Sequence, residues 1–500
     1  MAGIGFELKK MFAKKGLLSI LRAYGYAGIV CTGPMLLGIV LLLGIHLLAE
    51  AFGAGRQETE LLNSMITYTL LISLTVSNLF AMVTSRYTAD QIYAEESRRI
   101  LPSFWGSVSC MLTAGGGLYG IFLYFSGISA VYGLLCLTLF GELILVWTEI
   151  NYLTAIKDYR GILLTFAGAL VTGWGGALLL LAGGMEPVAA LLLAVCLAYG
   201  GMSVVYYWLL LRYFPQGNCS ASCFLIWMDR YPQHVLTGLF LSLGLFGHLV
   251  IMWTSPIAVQ VRGWFYGAPM YDIPALLAFL SILITTINFV TSVEVNFYPK
   301  YRNYFSLFND GGALRDIEQA EREMKSTLIQ ELTYTFMKQF FGTVVFLLAG
   351  TFLLPYLPLG MSADMLGIYR VLCIGYAFYA IGNCVMLIQL YFADNTGALV
   401  DSAVFMAVSC IGTWMLKGAG MTYYGVGFLA GAIAFAGVSI LGLYRYQRGL
   451  LYHVLCSQPM IQEVHRGFLT GLAEKLQKRY ERRAARESDR VYGKGETESE

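Results

Sequence analysis

Twelve long apolar segments recur along the chain, and they constrain its fold more than any other feature of the sequence. A helix that crosses a lipid bilayer needs about 20 mostly apolar residues. Only 13% of the residues are charged and the mean hydropathy is +0.64, whereas roughly 25% of a soluble domain is charged. The sequence therefore predicts an all-α polytopic membrane protein, and it excludes a soluble enzyme, a nucleic-acid-binding protein and a disordered scaffold. The predicted spans are 24–49, 61–85, 104–125, 128–154, 161–182, 187–211, 234–254, 274–298, 332–355, 367–392, 398–417 and 423–444.

The distribution of Lys and Arg predicts how these spans are oriented. Cytoplasmic loops of membrane proteins carry an excess of basic residues. With the N-terminus inside, 28 of the 33 basic residues fall in inner segments, and only Arg56, Arg262 and Lys417 fall in outer loops. An odd number of spans would destroy this bias. We therefore predict twelve spans with both termini in the cytoplasm.

A long loop at 212–233 divides the spans into two predicted lobes of six helices, 24–211 and 234–444. A weak repeat links the lobes, because Val83-Thr84-Ser85 and Val290-Thr291-Ser292 occur near the ends of corresponding spans. Such duplication is common in secondary transporters, where the substrate path lies at the interface of the repeats. The other predicted segments are an amphipathic cytoplasmic helix at 1–23, a cytoplasmic helix near 311–330, an amphipathic basic tail at 445–487 and a disordered end at 488–500.

The predicted tail helix carries a strongly basic stretch from Lys475 to Arg486. Apolar residues precede it at intervals of four, including Phe468 and Leu472. Basic amphipathic segments next to a membrane bind anionic lipid headgroups. The pattern indicates contact with anionic lipid or with an acidic partner, and an ordinary solvated helix end is the alternative.

Four charged residues within the predicted spans are candidates for a substrate path, since a charge inside a bilayer is costly and usually has a function. Glu142 lies near the centre of the fourth span, and Glu149 follows two turns later on the same face. Glu294 and Arg370 lie near the ends of the eighth and tenth spans. The alternatives are an internal Glu–Arg pair and extension of the side chains to the membrane surface. Because Glu149 is closer to the cytoplasmic end, we expect its replacement to impair passage along such a path less than that of Glu142.

Polar stripes in two spans strengthen the hypothesis of a path. Tyr and Asn side chains offer aromatic area and hydrogen bonds, and sugars present both apolar faces and hydroxyl edges. The alternative is ordinary helix packing, because Ser, Thr and Asn also bond between membrane helices. The stripes are Ser281, Thr285, Asn288 and Ser292 in the eighth span, and Tyr376, Tyr379 and Asn383 in the tenth.

Gly33 and Pro34 interrupt the first span, and a proline there is expected to kink the helix, as a gating element requires. No Walker A motif or HExxH motif occurs. Cys219 and Cys223 share a loop but lack further cysteines at zinc-binding spacing. We therefore predict no catalytic centre, no cofactor and no metal.

Several short motifs resemble the Pel exopolysaccharide transporter family, PelG. The likeness is most specific near the N-terminus, and it extends more loosely to about residue 450. The motifs are AGIGFELKK at 2–10, RAYGYAG at 22–28, TGP at 32–34, NDGG at 309–312 and QLYF at 389–392.

This resemblance implies membership of the superfamily that contains oligosaccharide flippases, the lipid II flippase MurJ and MATE exporters, which have two six-helix lobes and work by alternating access. It implies a bacterial inner-membrane location and, as cargo, a cationic, partly deacetylated N-acetylhexosamine polymer. The implied partners are a cytoplasmic glycosyltransferase and other Pel membrane proteins, including a regulator that senses cyclic di-GMP. Glu142 and Glu149 suit a cationic cargo only if its amines are already free inside the membrane. Otherwise these carboxylates would serve hydrogen bonding or ion coupling.

We therefore predict a transporter that exports a bacterial exopolysaccharide between two helical lobes. Three alternatives stay open: a cation-coupled antiporter of the MATE type, a membrane enzyme acting on lipid-linked sugars, and a scaffolding subunit of a polysaccharide synthase.

Overall fold

The structure, a computed structural model, describes residues 38–45, 47–49, 51–53, 55–156, 159–217, 219–356, 360–456 and 467–495. Within these residues it has 11 helices that are long and apolar enough to cross a membrane. This confirms the all-α polytopic fold. The predicted first span is described only from residue 38 onward, as the short apolar helix α1 (Gly38–Ala49). The helix predicted at 1–23 and the kink at Gly33 and Pro34 lie outside the described residues.

Five long helices follow α1, and short turns join several of them. Only a few residues separate α3 from α4, as predicted, and Gly127 in this turn has φ +74°, a left-handed conformation that glycine adopts without strain. Pro187 begins α6, where its missing N–H costs nothing. These helices are α2 (Arg56–Tyr93), α3 (Ile100–Phe125), α4 (Ala130–Ile156), α5 (Tyr159–Ala182) and α6 (Pro187–Tyr213).

The loop predicted at 212–233 contains regular structure. It holds a 3-10 turn (Ala221–Phe224) and the short helix α7 (Leu225–Arg230), and α8 (Pro232–Met252) starts directly afterwards. Ser220 caps the 3-10 turn, because its hydroxyl accepts a hydrogen bond from the backbone N–H of Ser222. Beyond α8, strands β1 (Val259–Arg262) and β2 (Phe265–Gly267) pair as an antiparallel hairpin.

The predicted eighth span is an interrupted helix. It runs through α9 (Pro269–Phe279), a 3-10 turn, α10 (Leu283–Ser292), a π-helical turn (Val293–Phe297) and α11 (Tyr298–Asn309). Pro299 lies in the first turn of α11 and has no N–H to donate to the preceding turn. Single π-helical turns inside α-helices are frequent at functional sites.

The cytoplasmic helix predicted near 311–330 and the ninth span form one continuous helix, α12 (Leu314–Leu353). They were predicted as two elements because charged residues occupy the first half and apolar residues the second. The tail helix also continues beyond residue 487, where we expected disorder to begin. The remaining helices are α13 (Ala363–Tyr391), α14 (Asn395–Leu416), α15 (Val426–Arg448), α16 (Leu450–Cys456) and α17 (Phe468–Gly495).

The chain forms two compact units. The N-terminal unit comprises Met65–Leu239 and the described tail residues, and the C-terminal unit comprises Phe240–Ser457 and the described residues up to Ser64. A largely buried helix lies at the centre of each unit, α6 in the first and α13 in the second. Small residues such as Ala190, Ala194 and Ala198 let neighbouring helices approach α6 closely.

Candidate functional site

Glu142 and Glu149 lie on one face of α4, as predicted, and this face packs against α6 of the same unit. A Cβ atom added at Gly200 would lie 2.9 Å from Oε1 of Glu142, so the carboxylate occupies the space that this glycine leaves open. Tyr206 lies within electrostatic range of Glu149. Each carboxylate has a buried oxygen, Oε2, without a hydrogen-bond partner among the described residues. The structure thus places the two charges together inside one helical unit.

Glu149 is only 1% exposed, whereas Glu142 is partly exposed. Burial against α6 is a different property from depth along the membrane, so the expectation that Glu149 lies closer to the cytoplasmic water stays a prediction. The sequence position along a helix does not show how much of a residue a neighbouring helix covers, and α6 covers Glu149 here. Neither carboxylate takes part in the ion pairs found among the described residues, so the Glu–Arg pairing alternative has no support there.

The polar stripe of the eighth span bonds mainly to α12. The Asn288 amide donates to the carbonyl of Ile284 at 2.7 Å, and its oxygen accepts from Nζ of Lys338 at 3.0 Å. Thr285 donates to the side-chain oxygen of Gln339. Gln339, which is fully buried, donates in turn to the carbonyl of Ser281 and to Thr343. These contacts favour helix packing as the main role of the stripe.

The predicted residues of the tenth span, in α13, are placed in different surroundings. Tyr376 is 3% exposed and packs against Phe279 and Phe428, with ring centroids 5.4 and 4.7 Å away. Arg370 is exposed, and its Nε donates to the Thr351 hydroxyl at 3.1 Å. Tyr376 and Arg370 therefore belong to an aromatic core and to an exposed face, respectively.

Tyr379 and Asn383 line a cavity of about 160 Å³ in the C-terminal unit. Thr285 of α10 lines the same cavity, together with mostly apolar side chains. Tyr379 also packs against Phe405, with ring centroids 5.4 Å apart. Glu294 belongs to the π-helical turn, and its side chain lies outside the described residues.

A groove of about 240 Å³ lies in the N-terminal unit, between α2, α3 and α4, and both apolar and polar side chains line it. Sequence reasoning missed it, although one signal was present: Trp147, Asn151 and Thr154 share a face of α4 at helical spacing. This face is opposite to that of Glu142 and Glu149. The lining residues are Leu74, Ser77, Asn78, Phe80, Ala81, Thr84, Met111, Trp147, Thr148, Ile150, Asn151 and Thr154.

Hydrogen bonds fix the polar side chains of this groove. Asn151 donates to the carbonyl of Ala81 at 3.0 Å and to the hydroxyl of Thr84 at 2.8 Å. The Trp147 indole N–H donates to Ser73 at 3.4 Å. Ser77 differs from them, because its buried hydroxyl has no hydrogen-bond partner among the described residues. The groove thus combines an aromatic ring and a rigid amide with a hydroxyl that lies buried in its wall.

Two further buried polar groups were missed. Asp401 of α14 is 1% exposed, and it lies beside Gln389 of α13 and Ser439 of α15. His248 of α8 is fully buried, with Nδ1 2.8 Å from the Tyr271 hydroxyl. Both are single polar residues in apolar stretches, and a search of the spans for Asp and His would have found them.

Cys219 and Cys223 lie next to each other in the segment between α6 and α7. A hydrogen bond from the Cys219 thiol lowers the pKa of Cys223 to about 7, and nearby Arg99 acts in the same direction. Within the described ranges, no cluster of three or more His, Cys, Asp or Glu residues could hold a metal ion. These two thiols alone do not make a metal site.

Solved structures with a similar fold are transporters of the MATE and MOP groups. A MATE protein in complex with MaL6 is 14% identical, with a TM-score of 0.57, covering 85% of this chain and 97% of its own. An outward-facing multidrug-resistance MATE transporter of the MOP superfamily is 15% identical, with a TM-score of 0.56 and coverages of 85% and 96%. A MOP superfamily transporter from Pyrococcus furiosus gives the same four values. At this identity the likeness shows the fold alone.

Sequence comparison identifies the family. No curated protein matches the chain. Residues 1–455, however, match the family described as "PelG: Putative exopolysaccharide Exporter (EPS-E)". That match covers most of the 500 residues, and the transporter fold agrees with it. The chain belongs to the PelG exopolysaccharide exporter family.

Proposed function

We propose that this exporter moves a Pel-like N-acetylhexosamine polymer across the bacterial inner membrane, and that the groove between α2, α3 and α4 binds one sugar unit of it. The observation that carries the proposal is the combination of Trp147, Asn151 and the buried hydroxyl of Ser77 in one groove. An indole ring stacks on the apolar face of a sugar, while amides and hydroxyls bond its edges. At about 240 Å³, the groove is smaller than the roughly 300–1,000 Å³ of a drug-sized site, which suits a single sugar.

Glu142 and Glu149 remain candidates for the path, together with Asn288, Glu294, Arg370, Tyr376, Tyr379 and Asn383. The two carboxylates lie within the same unit as the groove but on the other face of α4. We therefore propose that they act on transport indirectly, by hydrogen bonding or by binding a proton or cation, while the groove contacts the polymer. Chemical change of the polymer is not part of the proposed activity.

Ser77→Ala tests the groove sharply, because this change breaks no hydrogen bond seen within the protein. We expect the inserted protein level to stay normal and secreted polymer per molecule to fall about fivefold, since a hydrogen bond contributes about 1 kcal/mol. Trp147→Ala should lower secreted polymer per molecule about tenfold, because stacking on the sugar is lost. The measurement is secreted polymer divided by membrane-inserted protein.

Two matched variants control for general damage. Ser109 is exposed, and its hydroxyl donates to the Trp105 carbonyl of its own helix. Trp208 is an exposed indole on α6. Ser109→Ala and Trp208→Ala should export normally. Unchanged export by both groove variants, or an equal loss in the controls, contradicts the assignment of the groove.

Purified protein in liposomes separates the alternatives. Transfer of unmodified polymer supports export, proton-dependent efflux of a small drug supports a MATE-like antiporter, and a changed sugar product supports an enzyme. We further propose a cytoplasmic location for both termini, and a cytoplasmic glycosyltransferase and other Pel-type membrane proteins as partners. Family membership and the basic inner loops support these assignments.

A further inference from the structure

The tail helix α17 docks on the N-terminal unit through one of its faces. The backbone N–H and the hydroxyl of Thr470 both donate to Oδ2 of Asp229, at 2.6 and 2.9 Å. About two turns further on, the side-chain oxygen of Gln477 accepts from the backbone N–H of Ser220 at 2.9 Å. The Asp229 carboxylate lies at the start of α17, where the helix dipole favours a negative charge. The segment between α6 and α8 thus holds the tail helix in a defined orientation.

The opposite face of α17 carries five exposed residues in a single line, which we name the outer stripe. At 3.6 residues per turn, all five lie within about 40° of one line along the helix. Phe468 is 85% exposed and Leu472 is 40% exposed. The docked residues Thr470 and Gln477 lie on the other side. The outer stripe consists of Phe468, Leu472, Lys475, Arg479 and Arg482.

The order of residues in the outer stripe is apolar first and basic afterwards. Acidic residues of the same segment, Glu474 and Glu481, lie on the flank more than about 100° away. Glu481 also accepts a hydrogen bond from Gln477 at 2.8 Å, on the docked side. The exposed line therefore presents two apolar side chains and three positive charges without an intervening negative charge.

We propose that the outer stripe binds the anionic lipid headgroups of the membrane that the protein spans. Helices that lie in a membrane interface bury aromatic and aliphatic residues at the acyl boundary and direct Lys and Arg to phosphates. The docking segment joins Tyr213 at the end of α6 to Pro232 at the start of α8. Both helices are membrane-length, so α17 is held at a membrane surface. An acidic protein would match the charges but would leave Phe468 and Leu472 without a role.

Hydrogen–deuterium exchange of the full-length protein in nanodiscs tests this proposal. The exchange rates of residues 467–482 are compared between nanodiscs of phosphatidylcholine alone and nanodiscs of phosphatidylcholine with phosphatidylglycerol. We expect slower exchange with the anionic lipid at low salt, and loss of this difference at about 1 M salt, where charges are screened beyond roughly 3 Å. The triple variant Lys475→Glu, Arg479→Glu, Arg482→Glu should lose the protection, by a factor on the order of 10–100.

A matched triple variant controls for net charge. Arg302, Arg315 and Arg322 are exposed on α11 and the first half of α12, and their replacement by Glu should leave the lipid effect intact. Phe468→Ser should weaken the protection by anionic lipid. The peptide covering Ser220 to Asp229 should exchange at the normal rate in every variant. Equal exchange in the two lipids, or equal loss in the control triple variant, overturns the proposal and leaves an acidic protein partner or an ordinary solvated helix as the explanation of the outer stripe.

Discussion

Burial distinguishes the two carboxylates of α4 in a way that their sequence positions do not. Glu149 is 1% exposed and lies near Tyr206, whereas Glu142 retains some exposure beside Gly200. A carboxylate without a partner in such surroundings is costly when charged. We therefore propose that the two carboxylates have a role beyond folding.

We expect Glu149→Gln to impair export more than Glu142→Gln, the reverse of the order predicted from sequence. The amide keeps the shape but cannot bind a proton or cation, and it removes a buried charge, so inserted protein should be normal or increased. Export per molecule should fall about tenfold or more, equivalent to ~1.4 kcal/mol. Glu60→Gln is the control, because Glu60 forms an ordinary pair with Arg56 at 3.0 Å.

The readout is secreted polymer against inserted protein for all three variants. Lower protein levels with normal export per molecule would assign both carboxylates a purely structural role. Equal losses in all three variants would indicate a general effect of charge removal.

Individual residues show which parts of the site could be predicted from sequence. The shared face of Glu142 and Glu149 followed from helical spacing alone. The partners of Asn288 and Thr285 did not, because they depend on how α10 is placed against Lys338 and Gln339 of α12. The groove was missed because Trp147 and Asn151 are uncharged, and only the approach of α2 turns their face of α4 into a groove.

At the scale of elements, the α14–α15 contact depends on glycine. A Cβ at Gly427 would lie 2.2 Å from the backbone N of Thr413 and 2.5 Å from the carbonyl carbon of Gly412. Backbone atoms cannot move aside as a flexible side chain can. Close approach through small residues is the usual basis of helix packing in membranes, and it fixes α15 against α14 here.

Gly427→Ala should therefore lower the stability of the folded protein by roughly 1–3 kcal/mol. Gly437 of the same helix is the matched control, because a Cβ there meets no atom within 4 Å. Gly437→Ala should be neutral or slightly stabilising, since alanine favours helix more than glycine does. Thermal unfolding of the two variants in detergent provides the comparison, and equal midpoints would refute the packing argument.

Element boundaries were predicted well where a turn signal interrupts an apolar segment, as at Gly127 between α3 and α4. They were predicted poorly where polarity changes without a break in the backbone. The single helix α12 is rich in charged residues from Leu314 to Glu331 and apolar beyond them. Hydropathy indicates whether lipid or water surrounds a helix. A helix that extends from the membrane into water passes from one to the other without ending, so its hydropathy changes where its backbone does not.

At the scale of the whole molecule, the number of spans determines on which side of the membrane each loop lies. The described residues contain 11 candidate spans. The remaining predicted span, the first at 24–49, lies largely outside them. The 28-to-3 distribution of basic residues between inner and outer segments favours twelve. With twelve, the β1–β2 hairpin is outside the cell and the segment after Arg448 is inside.

Reporter fusions decide the number of spans directly. We expect alkaline phosphatase inserted at Gly263 in the hairpin to be active, because the surrounding strand residues are mostly exposed and the insertion should be tolerated. The same reporter after Arg448 should be inactive, and a fluorescent protein should give the opposite pattern at the two positions. Six of the predicted spans precede the loop at 212–233, so a third fusion after Gly217 should match that after Arg448. An active phosphatase after Arg448 together with an active one in the hairpin would mean that an odd number of spans separates the tail from the loop at 212–233. Inversion of all three signals would contradict the predicted orientation, and it is expected if the segment at 24–49 does not cross the membrane or if both termini lie outside.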